Sequence, residues 1–189
     1  MCNSPIQKIL FGSPGTGKSY KVTGNSTKEN TSIKDLLGIS DRSNIIKTVF
    51  HPEYTYGDFI GKLLPQTTGS NQVVYKYYAG YFLKALGRAY RNTIDGNNDN
   101  VLLVIDELNR GNAAAIFGIV FQLLDRNNDG WSEYEVNLSM LEIAGLLESM
   151  GYLFDVNREK ITLEKEDSFL SVHDFFETIE NKTDYKLIL

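Results

Sequence analysis

The chain has 189 residues, 42% hydrophobic and 12% aromatic, enough for one α/β core or a core with an appendage. Its net charge of −5 argues against a global electrostatic grip on nucleic acid and leaves room for a local basic groove only. One cysteine, Cys2, excludes an internal disulfide framework and a Cys-based zinc site; His51 and His173 are too few for a His-rich metal cluster; no apolar run reaches the roughly 20 residues that cross a bilayer. Met1–Pro5 has neither a basic segment nor a long apolar stretch, so a reducing cytoplasm is the expected compartment and no membrane is an expected partner.

Ile6–Phe11, with apolar Ile6, Ile9, Leu10 and Phe11, reads as a buried strand. Gly12-Ser13-Pro14-Gly15-Thr16-Gly17-Lys18-Ser19 then fits the P-loop pattern G-x-x-x-x-G-K-[ST] at every fixed position, and Tyr20 and Val22 continue into a helix. Gly12, Gly15 and Gly17 lack a Cβ, so the backbone can turn tightly and approach a ligand. The loop amides form a nest for phosphate oxygens, Lys18 adds a charge for the β- and γ-phosphates, and Ser19 offers a hydroxyl to Mg²⁺. Gly12–Tyr20 is the expected nucleotide-binding segment.

Gly24–Asn30 is a polar loop, and Ile33–Ile39 a short helix or a lid. Ile45–Phe50 is a β-branched strand; in His51–Gly61, Pro52 and two glycines rule out a simple helix. Gly69–Asn71 is a turn and Val73–Tyr78 a strand. Behind Gly80, Phe82, Leu83, Leu86, Ala89 and Tyr90 fall on one helical face, and Asp95–Asn100 is a loop. Val101–Ile105 is an unbroken apolar run, as in a central parallel strand covered on both faces. Ala113–Leu124 follows as one helix with Ile116, Phe117, Val120, Leu123 and Leu124 on one side, and Asp125–Gly130 is a polar turn. Leu138–Met150 is helical, Tyr152–Val156 and Lys160–Leu163 form a hairpin across Asn157–Glu159, and Ser171 caps a last amphipathic helix carrying Val172, Phe175, Phe176 and Ile179. There is no internal repeat.

The run at Val101 ends in Asp106-Glu107, the Walker B arrangement. Asp106 at the C-terminal end of a parallel strand is placed to hold Mg²⁺, and Glu107 is the candidate base or orienter of the attacking water. The other candidates are plainer. Asp125, Asn127, Asp129 and Gly130 imitate the start of a calcium loop, but its twelfth position is Val136 in place of a bidentate Glu. His51 faces the nucleotide or caps a strand; Tyr54, Tyr56 and Phe59 stack on a base or, better, pack on the sheet.

Three blocks together resemble the McrB-like AAA+ NTPases, whose namesake is the motor subunit of 5-methylcytosine-specific restriction systems. They are Ile9–Tyr20, common to AAA+ proteins; Thr48–Gly61, similar to the family's Phe-His-x-x-x-x-Tyr-x-Asp-Phe segment and the most discriminating; and Val104–Asn112 with Ile116-Phe-Gly118, similar to its Ile-Asp-Glu-Ile-Asn-Arg-x-Asn segment. Gly80–Ala89, Leu123–Arg126 and Ser132–Tyr134 also fit, so the resemblance covers roughly Ile6–Tyr134. It implies a P-loop NTPase of three-layer α/β/α type with a mostly parallel sheet, often a hexameric ring, Mg²⁺-dependent hydrolysis of ATP or GTP (GTP in the namesake), a McrC-type nuclease partner and work on DNA. It implies phosphate and Mg²⁺ binding by Gly12–Ser19, Mg²⁺ binding by Asp106 and water activation by Glu107. Asn109 and Arg110 match the family motif, Arg110 serving a neighbouring subunit's site or structure alone.

The family's Met-Asn-x-x-Asp-Arg sensor segment, its later arginine finger and its C-terminal lid have no counterpart here, and Lys186–Leu189 stands where a sensor strand would begin. The expected organisation is the front part of an AAA+ core over residues 1–136, with 137–189 an α+β appendage or insertion. Because an arginine finger contributes about 10³–10⁵ in rate, nucleotide binding is expected more firmly than turnover. The main reading is an NTP hydrolase of motor type, as a homo-oligomeric ring. One alternative is a nucleotide-binding remnant or regulatory subunit of a full-length homologue. Another is a small-molecule kinase, for which Arg42, Arg88 and Arg91 are available as lid arginines.

Overall fold

The computed structural model describes residues 6–28, 30–67, 69, 71–97, 99–128, 132–155, 160–163, 166–171, 174, 175 and 177. Directly behind the glycine-rich turn lies helix α1 (Lys18–Thr23), which stops at Gly24, whose amide donates to the Tyr20 carbonyl at 2.7 Å. A single turn, α2 (Ile33–Leu36), begins at Ser32, whose hydroxyl accepts from the Asp35 amide at 3.2 Å. Strand β1 (Ile45–Val49) follows a short 3-10 turn, Arg42–Asn44. The segment with Pro52 contains one helical turn, α3 (Tyr56–Phe59), closed by a Thr55/Asp58 capping box.

A hairpin comes next: β2 (Gly61–Thr67) pairs antiparallel with β3 (Val73–Ala79). β2 was not legible in the sequence because Pro65 argues against a strand; the hairpin tolerates it because, among the described residues, neither strand has a second neighbour. Helix α4 (Tyr81–Ile94) leads to β4 (Leu102–Asp106), which runs parallel to β1 in the register Ile45↔Leu102 to Val49↔Asp106. The chain is thus mixed α/β, with a parallel sheet of two strands.

Beyond β4 the expected single helix is two pieces. Helix α5 (Ala113–Phe117) ends at Gly118 (φ 51°, ψ −132°), and a 3-10 stretch covers Gly118–Leu124. That backbone is closed to residues with a Cβ, so the apolar face is broken there: Ile116 and Val120 are buried and Leu124 is exposed. Helix α6 (Met140–Ser149) has a Ser139/Glu142 capping box. Strands β5 (Tyr152–Asp155), β6 (Lys160–Leu163) and β7 (Glu166–Ser171) form an antiparallel sheet in that order. The β5–β6 pairing is the expected one, Tyr152↔Leu163; β7 was not anticipated. The Ser171 hydroxyl accepts from the Asp174 amide at 3.0 Å, as a helix cap would. Asn157–Glu159, Asp129, Gly130, Val172, Phe176 and Ile179 lie outside the described residues.

One apolar cluster joins these elements. Phe50, Phe59, Ile60 and Leu83 are fully buried, with Leu146 and Leu147 of α6 in the same cluster. Phe59 and Phe117 meet edge-on at 5.0 Å, and Phe50 lies 4.8 Å from Tyr54. Two expectations fail. Ile6–Phe11 forms no strand and is not buried: Ile9 is 65% and Phe11 89% exposed. β4 is half-buried, not covered on both faces. The cause is shared. Among the described residues β4 has β1 as its one neighbour, and no ladder reaches Ile6–Phe11, so apolar residues suited to a sheet interior have no interior to enter. No described helix is long and apolar enough to cross a membrane.

Candidate functional site

The glycine-rich segment closes on itself. Gly15 (φ 81°) and Gly17 (φ 78°) occupy the left-handed region, which a side chain would strain. Between them and the chain before lies a turn in which the Thr16 hydroxyl donates to the Ser13 carbonyl at 2.8 Å. The Lys18 ammonium folds back over this turn, donating to the carbonyls of Gly12 at 2.5 Å and Ser13 at 2.9 Å. A cavity of about 280 Å³ is lined by Leu10, Phe11, Gly12, Thr16, Gly17, Lys18 and Lys21. Ser13, Pro14, Ser19 and Tyr20 are exposed, the Tyr20 hydroxyl donating to the Asn25 carbonyl at 2.9 Å. At its far end α1 is tied to the parallel sheet, the Lys47 ammonium lying 3.0 Å from the Thr23 hydroxyl.

Asp106 and Glu107 stand at the C-terminal edge of the same sheet. The Phe50 amide donates to the Asp106 carbonyl at 2.9 Å, so β1 and β4 leave the sheet side by side. The Asp106 carboxylate is exposed and has no protein partner among the described residues. Glu107 is held with φ 56° and ψ 38°, a conformation that costs a non-glycine residue about 1 kcal/mol or more. Its Oε2 lies 3.2 Å from Arg110 Nε, while Asn109 is exposed. Asn112, part of the same motif, is the cap of α5: its side chain accepts from the Ala115 amide at 3.2 Å. The two halves of the site are not joined. No hydrogen bond or ion pair links Gly12–Ser19 to Asp106 or Glu107 among the described residues, and the cavity is lined by the first half alone.

The weaker candidates resolve into packing. Phe59 is fully buried, and the buried Tyr54 hydroxyl lies 2.9 Å from the Thr48 hydroxyl. His51 is exposed, its ring edge-on to Tyr54 at 5.5 Å. Arg88 and Arg91 are committed elsewhere, Arg88 to Asn44, Ser43 and Asp41, and Arg91 to Asp95 at 2.8 Å. No group of three or more His, Cys, Asp or Glu side chains is gathered for a metal among the described residues. A Mg²⁺ shared with a triphosphate needs fewer protein donors; the Ser19 hydroxyl and Asp106 carboxylate, both exposed hard oxygen donors, suit it. Lys21, on the cavity wall, was missed; its only sequence signal is its place one turn beyond Lys18.

No family model matches the chain. It is similar to the type II restriction enzyme BsuMI component YdiS of Bacillus subtilis (strain 168), 33% identical over 154 residues, covering 70% of this chain and 41% of that protein. It is also similar to the type IV methyl-directed restriction enzyme EcoKMcrB subunit of Escherichia coli (strain K12), 29% identical over 133 residues, 66% of this chain and 24% of that subunit. The chain therefore resembles components of restriction systems and spans less than half the length of either relative.

Proposed function

We propose that this chain binds a nucleoside triphosphate with Mg²⁺ at Gly12–Tyr20, as part of an AAA+ type NTPase component of a DNA restriction system. The observation that carries the reading is the glycine turn of Gly12–Gly17 opening onto α1, with Lys18 on the wall of an adjoining cavity, in a chain similar to restriction-enzyme subunits. Loop amides and Lys18 take the phosphate oxygens, Lys18 exchanging two neutral carbonyls for anionic acceptors, which attract its charge more strongly. Ser19 and Asp106 hold Mg²⁺, which when bound offsets phosphate charge. Glu107 orients the attacking water. ATP and GTP are both admitted as substrates.

In this reading residues 1–136 carry a three-layer nucleotide core, and 137–189 are an appendage or insertion packed on it through α6. A homo-oligomeric ring or a full-length homologue, a McrC-type nuclease and DNA are the proposed partners, and the cytoplasm the proposed compartment. A second reading, a nucleotide-binding or regulatory subunit of low turnover, is favoured by one feature: among the described residues no hydrogen bond or ion pair joins Asp106 or Glu107 to the glycine turn.

Titration with labelled ATP and GTP in magnesium buffer tests the binding claim. Uptake is expected, with a loss of about tenfold or more on Lys18→Ala for one charge-assisted contact. No uptake, or uptake indifferent to that substitution, refutes it. Glu107→Gln then separates the two readings: an active hydrolase loses turnover and keeps binding, whereas a low-turnover subunit changes in neither.

A further inference from the structure

Two ammonium groups share the wall of the cavity at the glycine turn. Lys18 and Lys21 both line it, with Gly12, Gly17 and the exposed Phe11, and among the described residues no carboxylate does. The backbone fixes Lys21 there: its amide donates to the Gly17 carbonyl at 2.9 Å, closing the first turn of α1 onto the glycine loop. Helical side chains lean toward the N-terminus, which carries the Lys21 stem back toward that loop and away from the last carbonyls of α1. Three residues apart on one helix, the two like charges repel. Elsewhere the fold answers such charges: Lys34, Lys62 and Lys76 meet carboxylates at 3.3, 2.6 and 3.4 Å. Lys18 donates to the neutral carbonyls of Gly12 and Ser13, and the Lys21 ammonium has no hydrogen-bond or ion-pair partner among the described residues. Neither of the proposed Mg²⁺ donors, Ser19 and Asp106, lines the cavity. An oligophosphate that enters it meets two cations.

We propose that Lys18 and Lys21 form a two-cation clamp for an oligophosphate, with Lys21 allowing the cavity to capture the phosphate tail before Mg²⁺ joins it. The inference rests on the nucleotide-binding reading above and adds a phosphate ligand that the G-x-x-x-x-G-K-[ST] pattern does not contain. With anionic oxygens between them, two ammonium groups that repel each other are both attracted to one partner. Mg²⁺ neutralises part of the same phosphate charge, so Lys21 matters most when the metal is absent. The clamp reads phosphate charge and no base, so inorganic tripolyphosphate is a ligand as well.

The test is calorimetric titration of the full chain with inorganic tripolyphosphate, ATP and GTP, each in EDTA and in magnesium buffer. All three are expected to bind in EDTA. Lys21→Gln is expected to weaken that binding about tenfold, the worth of one contact to a charged group, and to weaken it less in magnesium. Lys21→Arg, which keeps the charge, is expected to restore most of the loss. Equal affinity of the native chain and Lys21→Gln in EDTA overturns the clamp and leaves the proposed function standing. So does tripolyphosphate that fails to bind where ATP or GTP binds. Nucleotide uptake that requires magnesium overturns capture ahead of the metal. No uptake in either buffer, or uptake in magnesium indifferent to Lys18→Ala, overturns the proposed function and this inference with it. Lys21 is exposed, so its substitutions leave the melting curve in place, which circular dichroism verifies.

Discussion

Arg88 Nε donates to the side-chain carbonyl of fully buried Asn44 at 2.7 Å, pinning α4 to the start of β1. Asn92 donates to the same oxygen at 3.2 Å and to the Asp99 carbonyl at 3.1 Å, so one acceptor organises three segments. Asn44→Ala leaves two donors without it and is expected to cost about 1–3 kcal/mol in denaturant unfolding. The Asn44 side-chain nitrogen is itself buried without a partner among the described residues. Asn44→Asp removes that orphan donor and faces Arg88 with a carboxylate, so its loss should be the smaller of the two; a larger loss would contradict this account.

Gly118 turns the chain from α5 into the 3-10 stretch with φ 51° and ψ −132°, and a Cβ there would lie 3.0 Å from the Tyr56 ring. Gly118→Ala should destabilise by more than about 1 kcal/mol, since the native conformation is closed to alanine. Thermal melting of the variant measures it, and an unchanged midpoint would mean the helix break is dispensable.

Tyr77 lies against Gly61 and Gly145, and its hydroxyl is buried without a partner among the described residues. Burial pushes its pKa up, the neutral form being the one that fits. Tyr77→Phe removes an unsatisfied polar group and keeps the ring. It is expected to be neutral or to stabilise by about 1 kcal/mol, whereas most core substitutions destabilise. A marked loss of stability would reveal a hydrogen bond to the hydroxyl.

Asp58 sits in the capping box of α3, where the Lys62 ammonium at 2.6 Å and the Thr55 hydroxyl lower its pKa to about 2. A carboxylate depressed on folding contributes stability that is fully present above its unfolded pKa, about 4, and lost as pH falls through the folded value. Stability should therefore decline between pH of about 4 and about 2, and less steeply in Asp58→Asn. Some decline should remain, because Asp35, lowered to about 2 chiefly by the hydroxyls of Ser26 and Ser32, titrates in the same window. Melts across that pH range in both proteins provide the comparison.

What could be read from residue order alone is what neighbouring residues decide. The strand from Ile45, the face of α4, the helix within Leu138–Met150 and the apolar run into Asp106 each follow from side-chain period or composition, and each is found. The segment Gly12–Ser19 was legible for the same reason, its glycines being required by backbone conformation within the loop itself. Tertiary structure alone decided what depends on partners far along the chain. Ile6–Phe11 has the composition of a buried strand and forms none, because burial needs flanking strands and a covering layer that a pattern of apolar residues does not contain. Pro65 is carried in β2 because, among the described residues, that strand has only one neighbour, and Gly118 divides what periodicity reads as one helix. The Glu107–Arg110 pair belongs to the same class. The spacing of the two charges was plain, but only a left-handed turn at Glu107 folds one back onto the other.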